Sequence, residues 1–238
     1  RTGIVMALRV ALPNGGRVGV VTYNCHSVAN AVVNARCTPV FVDVTDGLTI
    51  DIKSVPKDLD AIVVTNLFGI RNDIEAIRKR SPKAVVIVDN AHGYGLPAEG
   101  DYTVYSINQG KFPALGEGGL LTLNSDRLAA KEKIDEMYAS LPEYNTLAQV
   151  KLFVQMWLKT MAYSRLCYWL VRKLKKSSKP NVHQSVIMKK MAPGIRRLYN
   201  AWLPNAEKEI AAQRANAEII SERIKEFTHE CIMGENSF

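Results

Sequence analysis

The sequence predicts an α/β fold, a mostly parallel sheet covered on both faces by helices. Three observations carry that reading. Short runs dense in Val and Ile recur along the first 124 residues. Helical spacings stand between most of them. The runs are continuously apolar rather than alternating, as strands buried on both faces are. In such sheets ligands sit beyond the carboxyl ends of the strands, so residues that follow strand runs are the candidates for chemistry.

The elements follow in order. GIVMALRVAL (3–12) reads as a helix stopped by Pro13, which cannot continue one. RVGVVTY (17–23) is a short buried strand, and HSVANAVVNA (26–35) has helical spacing. TPVFVDV (38–44) is strand again, and LDAIVVTNLFG (59–69) a third strand running into a loop. DIEAIRKR (73–80) has an acidic start and a basic end, which suits the helix dipole. KAVVIVDNAHG (83–93) is a fourth strand. DYTVYSI (101–107) and GGLLTLN (118–124) form a strand pair around the loop NQGKFPALGEGG. After Asn124 the pattern turns helical. SDRLAAKEKIDEMYASL (125–141) has a Ser N-cap signal, 147–176 is a long apolar and basic helical region, and SSKPNVHQS is a polar linker. MAPGIRRLYNAWL and EKEIAAQRANAEIISERIKEF (207–227) close the chain as helices. The domain division read from this is 1–145 for the large domain, 146–205 for a basic helical segment and 206–238 for the start of a smaller one. Arg1 opens directly into a helix and the last helix has no evident finish, so both ends read as cut from something longer.

Composition narrows the class. The chain has 238 residues, 47% of them hydrophobic, ample for a packed core. Cys25, Cys37, Cys167 and Cys231 are widely spaced with no CxxC pair, which fits reduced thiols in a cytoplasmic protein and predicts no metal site. No apolar run reaches the roughly 18 residues of a membrane span, and no signal peptide is seen. The net charge of +8 is concentrated: between Glu143 and Glu207 there are twelve Lys and Arg and no acid. An anionic neighbour is expected near that segment.

Two residues stand out for chemistry. Asp89 ends the VVIVD strand. It reads equally as a carboxylate aimed at a cationic ring nitrogen or metal and as a cap on the following turn. Lys111 sits among Gly110, Phe112, Pro113 and Ala114, which would push its amine toward the neutral, nucleophilic form. A strand-end Asp followed by a Lys in a Gly-rich loop is how enzymes arrange pyridoxal 5'-phosphate. His183 and His229 read as solvated surface, and Glu117 as a carboxylate accepting loop N–H bonds.

The stretch YSINQGKFPALGEGGLLTLN resembles, without a gap, the Schiff-base region of the DegT/DnrJ/StrS family of sugar aminotransferases. VVIVDNAHG, TNLFGIRNDIEAI and ANAVVNARCTPVFVDV are similar to further stretches of that family, in the same order. The resemblance covers residues 1 to 125 well and 187 to 227 loosely. It implies a pyridoxal phosphate transferase of fold type I, a three-layer α/β/α large domain plus part of a smaller C-terminal domain. It also implies a homodimer in the cytoplasm that moves an amino group, from glutamate in the first instance, to a nucleotide-linked keto sugar for polysaccharide biosynthesis. Lys111 would form the Schiff base and shuttle the proton, and Asp89 would keep the pyridine nitrogen protonated. His92 would lie near the phenolic oxygen. Ser106, Asn108, Thr2 and Gly3 would lie at the phosphate, the last two through backbone N–H groups at a helix start. Lys rather than His at 111 favours aminotransfer over the family's sugar dehydratases.

Three departures from the family accompany these matches. Its aromatic residue over the cofactor falls on Cys25, with His26 or Tyr23 beside it as a substitute. Its His two residues after the phosphate Ser is Asn108. Its Asn-Tyr-Arg-Met segment has become Met188-Lys189-Lys190-Met191. The altered segment at Met188–Met191 leaves room for a pyridoxal phosphate enzyme acting on a non-sugar substrate, and the basic helix for a non-catalytic relative at a membrane. The basic region 147–176 reads first as a helix packed on the large domain or a partner. Contact with an anionic membrane surface comes second, and a platform for a nucleotide diphosphate third. Nothing supports nucleic acid.

Overall fold

A computed structural model describes residues 1–124, 130–162, 164 and 186–224. The predicted Ser cap at 125, the continuation of the long helix to 176, the linker with His183, and the residues after 224 with His229 lie outside them.

Six strands form one sheet: β1 (Arg17–Val21), β2 (Thr38–Val42), β3 (Ala61–Thr65), β4 (Val85–Asn90), β5 (Tyr102–Ser106) and β6 (Gly119–Leu123). Their spatial order is β2-β1-β3-β4-β5-β6. The first five are mutually parallel, and β6 runs antiparallel to β5 at the edge. All six predicted strands are present, each trimmed by a residue or more at one end or both.

Side-chain alternation sorts the sheet into two faces. Val18 and Val20, Ala61 and Val63, Val85 and Ile87, and Tyr102 and Val104 point to one face. There they meet α1 (Thr2–Ala11) through Ile4, Val5 and Leu8, and α2 (His26–Asn34) through Val28, Ala31 and Val32. Val21, Ile62, Val64, Val86 and Val88 point to the other face. That layer includes Ile77 of α3 (Ile74–Arg80). The acidic start of α3 is a true cap, since Asp73 Oδ1 accepts from Ala76 N at 2.9 Å. Burial on both faces explains why the strand runs are apolar at every position.

A third apolar layer lies past the ends of β5 and β6. It joins the loop between them to α5 (Thr146–Ala162), α6 (Pro193–Trp202) and α7 (Ala206–Ile224), while α4 (Lys131–Ala139) leads into α5. Tyr94, Ile107, Ala192 and Ile195 are its centre. Leu152, Phe153 and Met156 of α5 pack on it. A Cβ on Gly116 would fall 2.3 Å from Met156 Cε, and one on Gly194 2.6 Å from Phe153 Cζ. Glycine at both positions is what lets α5 lie this close to the loop.

The carboxyl ends of β1, β3 and β4 are tied by a buried amide network. Asn24 Nδ2 donates to Thr65 Oγ1 at 2.8 Å, and Asn66 Nδ2 donates to Asn90 Oδ1 at 2.7 Å. Asn66 Oδ1 accepts from Asn72 N at 3.0 Å and Asn72 Nδ2 at 3.1 Å. Asn72 Oδ1 in turn accepts from Ile50 N at 2.7 Å. Asn66→Ala would leave several of these groups buried and unpaired, each costing more than the bond itself contributes. A loss of about 2–4 kcal/mol in unfolding free energy is expected from denaturant titration. A loss under about 0.5 kcal/mol, the scale of a surface change, would show that the network does not hold the strand ends.

Candidate active site

The alternation that sorts the core also sets which polar groups share the carboxyl edge. On β4 the register Val85, Ile87, Asp89 sends Asp89 to the face of α1 and α2. On β5 the register Tyr102, Val104, Ser106 brings Ser106 to that face too. The first turn of α1 lies there, its Gly3 seated so that a Cβ would be 3.0 Å from Val104 Cγ1. No side chain caps that helix start.

Asp89 is 5% exposed, and its Oδ1 accepts a single hydrogen bond, from Ala91 N at 3.0 Å. Burial pushes its carboxyl above the ordinary range. The Ala91 amide and Lys111 pull it part of the way back. Lys111 is shifted the other way, downward by burial, with Asp89 and Cys25 opposing. Each group therefore lies in the field of the other, yet no ion pair or hydrogen bond joins them.

Lys111 is carried on a loop shaped by its own backbone. Ile107 N donates to Gly118 O, Gln109 N to Gly116 O at 2.9 Å, and Lys111 N to Asn108 O at 3.0 Å. Gly110, Gly116 and Gly118 have φ of 83°, 110° and 137°, which side chains rarely adopt. The Phe112–Pro113 peptide is cis. Phe112 anchors the loop in an aromatic cluster, edge-on to Tyr94 and to Trp202. Tyr94 Oη and Tyr199 Oη are 2.8 Å apart within it.

The remaining predicted residues fall as follows. His92 is stacked at a tilt on Phe68, its Nδ1 accepting from Phe68 N at 3.4 Å. Burial, then Lys111, lowers its titration and favours the neutral imidazole. Ser106 Oγ accepts from Asn108 N at 3.4 Å, and Asn108 Oδ1 accepts from Gly118 N at 2.8 Å. Asn108 thus closes the loop. His26 begins α2, exposed and without a hydrogen bond among the described residues. Cys25, the residue before it, lies in the field of Lys111 instead. Burial raises its thiol, but Ser27, Lys111 and Arg1 together hold it below the ordinary value. Thr2, Gly3, Asp89, His92, Ser106, Asn108 and Lys111 thus gather along one edge, with Cys25 in the field of the lysine.

Glu117 does not accept loop amides. It takes the hydroxyl of Tyr144, at 3.0 Å, and raises that hydroxyl's titration, with burial as the larger cause, to about 12. Lys189 lies over the Tyr144 ring, 5.1 Å from its centre, and Lys190 Nζ is 2.7 Å from Glu143 Oε1. Sequence reasoning missed Tyr94, Tyr144, Tyr199 and Trp202. They are far from Lys111 in the chain and follow no motif spacing. Only the heavy aromatic content of 194–202 hints at them.

The donor set can be tested against pyridoxal 5'-phosphate. Asp89 is a buried carboxylate with an acceptor to spare and no ion pair among the described residues. Lys111 is a desolvated amine across a gap from it. The start of α1 offers uncapped backbone N–H groups. A ring with a protonatable nitrogen, an aldehyde and a phosphate satisfies all three, and the residues fit the group.

The family model of the DegT/DnrJ/EryC1/StrS aminotransferases matches residues 2–149. A pleiotropic regulatory protein of Geobacillus stearothermophilus is 30% identical over 146 residues, 55% of this chain and 39% of its own. Among solved structures, an aminotransferase from Psychrobacter cryohalolentis superposes with a TM-score of 0.67 at 21% identity, over 95% of this chain and 55% of its own. An E. coli GDP-4-keto-6-deoxy-D-mannose-3-dehydratase with bound hydrated PLP gives 0.66 at 17% identity, over 99% of this chain and 62% of its own. These likenesses show the fold, and the chain spans well under two thirds of each relative's length.

The shifts predict two outcomes. The carboxyl of Asp89 titrates higher folded than unfolded, so its contribution to stability is complete below the unfolded value and lost as pH rises through the folded one. In the cofactor-free chain, Asp89→Asn should therefore raise the thermal midpoint at pH 8 and have no effect near pH 3. A lowered midpoint at pH 8 would mean the carboxylate is not strained by burial. Asp89 also opposes the downward shift of Lys111. The same substitution should move the pH profile of Lys111 labelling by an amine reagent, read by peptide mass mapping, to lower pH.

Proposed function

The chain belongs to the DegT/DnrJ/EryC1/StrS aminotransferase family, and from that we propose that it binds pyridoxal 5'-phosphate and catalyses transamination at the Asp89–Lys111 edge. One observation carries the reading: a buried, under-partnered carboxylate and a desolvated lysine facing each other without an ion pair. The acceptor we favour is a keto sugar linked to a nucleotide, with glutamate as donor, in a cytoplasmic homodimer serving polysaccharide biosynthesis.

When bound, the cofactor draws electrons from the Cα of an attached amino acid into its ring, which acidifies that carbon. The chain's residues do the rest. Lys111 Nζ would hold the cofactor at its aldehyde carbon and, once displaced there by the donor's own amine, would carry a proton between the donor's Cα and that aldehyde carbon. Burial supplies the neutral amine this needs. Asp89 holds a proton on the ring nitrogen, its carboxylate matched by that cation. His92, neutral and fixed by the Phe68 amide, would donate from Nε2 toward the phenolic oxygen. Thr2 and Gly3 amides and Ser106 Oγ would bind the phosphate, and Cys25 or His26 would cover the ring. Phe112, held by Tyr94 and Trp202, fixes the stem of the loop so that only the lysine side chain need move.

A specific observation favours a second reading, transamination of a non-sugar substrate. Lys190 is engaged by Glu143 and Lys189 by Tyr144, so Met188–Met191 is held on its own subunit's surface.

Purified chain mixed with pyridoxal 5'-phosphate should develop a visible absorbance band that borohydride fixes onto the peptide containing Lys111. Lys111→Ala should abolish the fixation and slow half-transamination by about 10²–10⁴-fold, the range of a positioned acid–base group. A colourless mixture, or fixation on another lysine, overturns the reading. Keto-sugar nucleotides and small keto acids, tried as acceptors, separate the two substrate classes.

A further inference from the structure

The feature the proposed function leaves unused is the outer face of α5. Its inner face is accounted for by Leu152, Phe153 and Met156, which pack on the third apolar layer. The helix nonetheless carries a second apolar stripe. Leu147 is 81% exposed and Trp157 60%, and Val150, Val154, Leu158 and Met161 are exposed as well. At 3.6 residues per turn these six fall within an arc of about 100°. Lys151 and Lys159, both exposed, lie in the sector between this stripe and the inner face.

A 17-residue helix with six large apolar side chains in water is unusual for a face with nothing to bind. We propose that this outer face of α5 docks on an anionic lipid bilayer, lying in the plane of the headgroups with the stripe inserted and the lysines at the phosphates.

Charge complementarity selects this occupant. The chain from 144 to 206 holds twelve cations and no acid. A second copy seated symmetrically on the stripe would bring Lys151 and Lys159 against their own counterparts with no carboxylate from either segment between them. A bilayer rich in acidic lipid supplies the missing counter-charge, at roughly 1 kcal/mol per basic residue near the surface. Aliphatic side chains dominate the stripe, which suits acyl chains, and Trp157 is of the type that sits at headgroup level. No helix among the described residues is long and apolar enough to cross a membrane, so the contact is interfacial.

The geometry has a consequence for the site. Met156 on the inner face touches the loop at Gly116, five residues from Lys111. The docked bilayer would thus lie about one helix diameter, 10–12 Å, from the lysine loop.

The test uses the full chain with two vesicle preparations, phosphatidylcholine alone and about three parts phosphatidylglycerol to seven of phosphatidylcholine. Sedimentation should show at least about tenfold tighter binding to the acidic vesicles, weakened by salt. Val154→Asp with Trp157→Asp should lose about tenfold or more of that binding while keeping the circular dichroism spectrum. Lys151→Glu with Lys159→Glu should remove the preference for acidic vesicles. Equal binding to both preparations, or an undiminished double-Asp variant, overturns the proposal. So does a concentration-dependent dimer in sedimentation velocity that the double-Asp variant splits, since the stripe would then belong to a second copy. Vesicle binding does not depend on cofactor, so it can succeed where the absorbance test fails, and the reverse.

Discussion

The molecule is organised around the cost of keeping one carboxylate dry. Asp89 stands at the end of a strand buried on both faces, where its charge has lost water and gained one amide. A neighbouring cation would ordinarily relieve such a group by closing to an ion pair. Lys111 is near enough to be felt and is held back by its loop. Contact would neutralise the pair and remove both from chemistry. Separation leaves an acid that wants a cation and an amine ready to act as a nucleophile. Any ring that brings a proton-bearing nitrogen to Asp89 and an aldehyde to Lys111 relieves both at once.

Maintaining the gap is the task of elements that never touch a substrate. The amides of Asn24, Asn66, Asn72 and Asn90 tie the exits of β1, β3 and β4, so the strand end that carries Asp89 cannot drift. On the other side, Phe112 in its aromatic cluster and Asn108 on Gly118 fix the loop that carries Lys111. The two anchorages are different in kind. One is a satisfied polar network in a dry interior, which is rigid because any break leaves unpaired groups. The other is ring packing, which tolerates small shifts.

How much of this was legible in the residues depends on range. Strands such as VVIVD announced themselves because burial on both faces leaves no polar position to confuse the pattern. Lys111 and Asp89 stood out as a lysine among glycines and a carboxylate at a strand end, and the turn cap offered as one reading of Asp89 is a contact it makes, with the Ala91 amide. The register that places Asp89 and Ser106 on one face follows from period-2 counting once the strand bounds are known. What stayed hidden was long-range pairing. Tyr94 meets Tyr199 across 105 positions, and no local signal encodes that. The contact Asn108 makes with Gly118 was hidden for a related reason. A polar residue beside a phosphate-type serine looks like a ligand, while its contact with Gly118 depends on how the loop folds back. Likewise Glu117, expected to accept loop amides, is drawn away by Tyr144 from the turn before α5.

Helix α5 shows why amphipathic patterning can be read only in part from sequence. Counting apolar positions marks one side away from Lys151 and Lys159 and predicts that this side is buried. The molecule divides it. Phe153 and Met156 are spent on Gly194 and Gly116, where a missing Cβ creates the only room for them, and the rest of the apolar arc faces outward. A helix that served only to brace the loop would need the first set and would carry polar residues at Val150, Val154, Trp157 and Leu158, as exposed helix faces do. Among the described residues, the second set stays exposed. A face that is costly in water and borders the Lys111 loop through Met156 is the ground for the bilayer contact proposed above, and the lysines beside it are the reason that contact is assigned to acidic lipid.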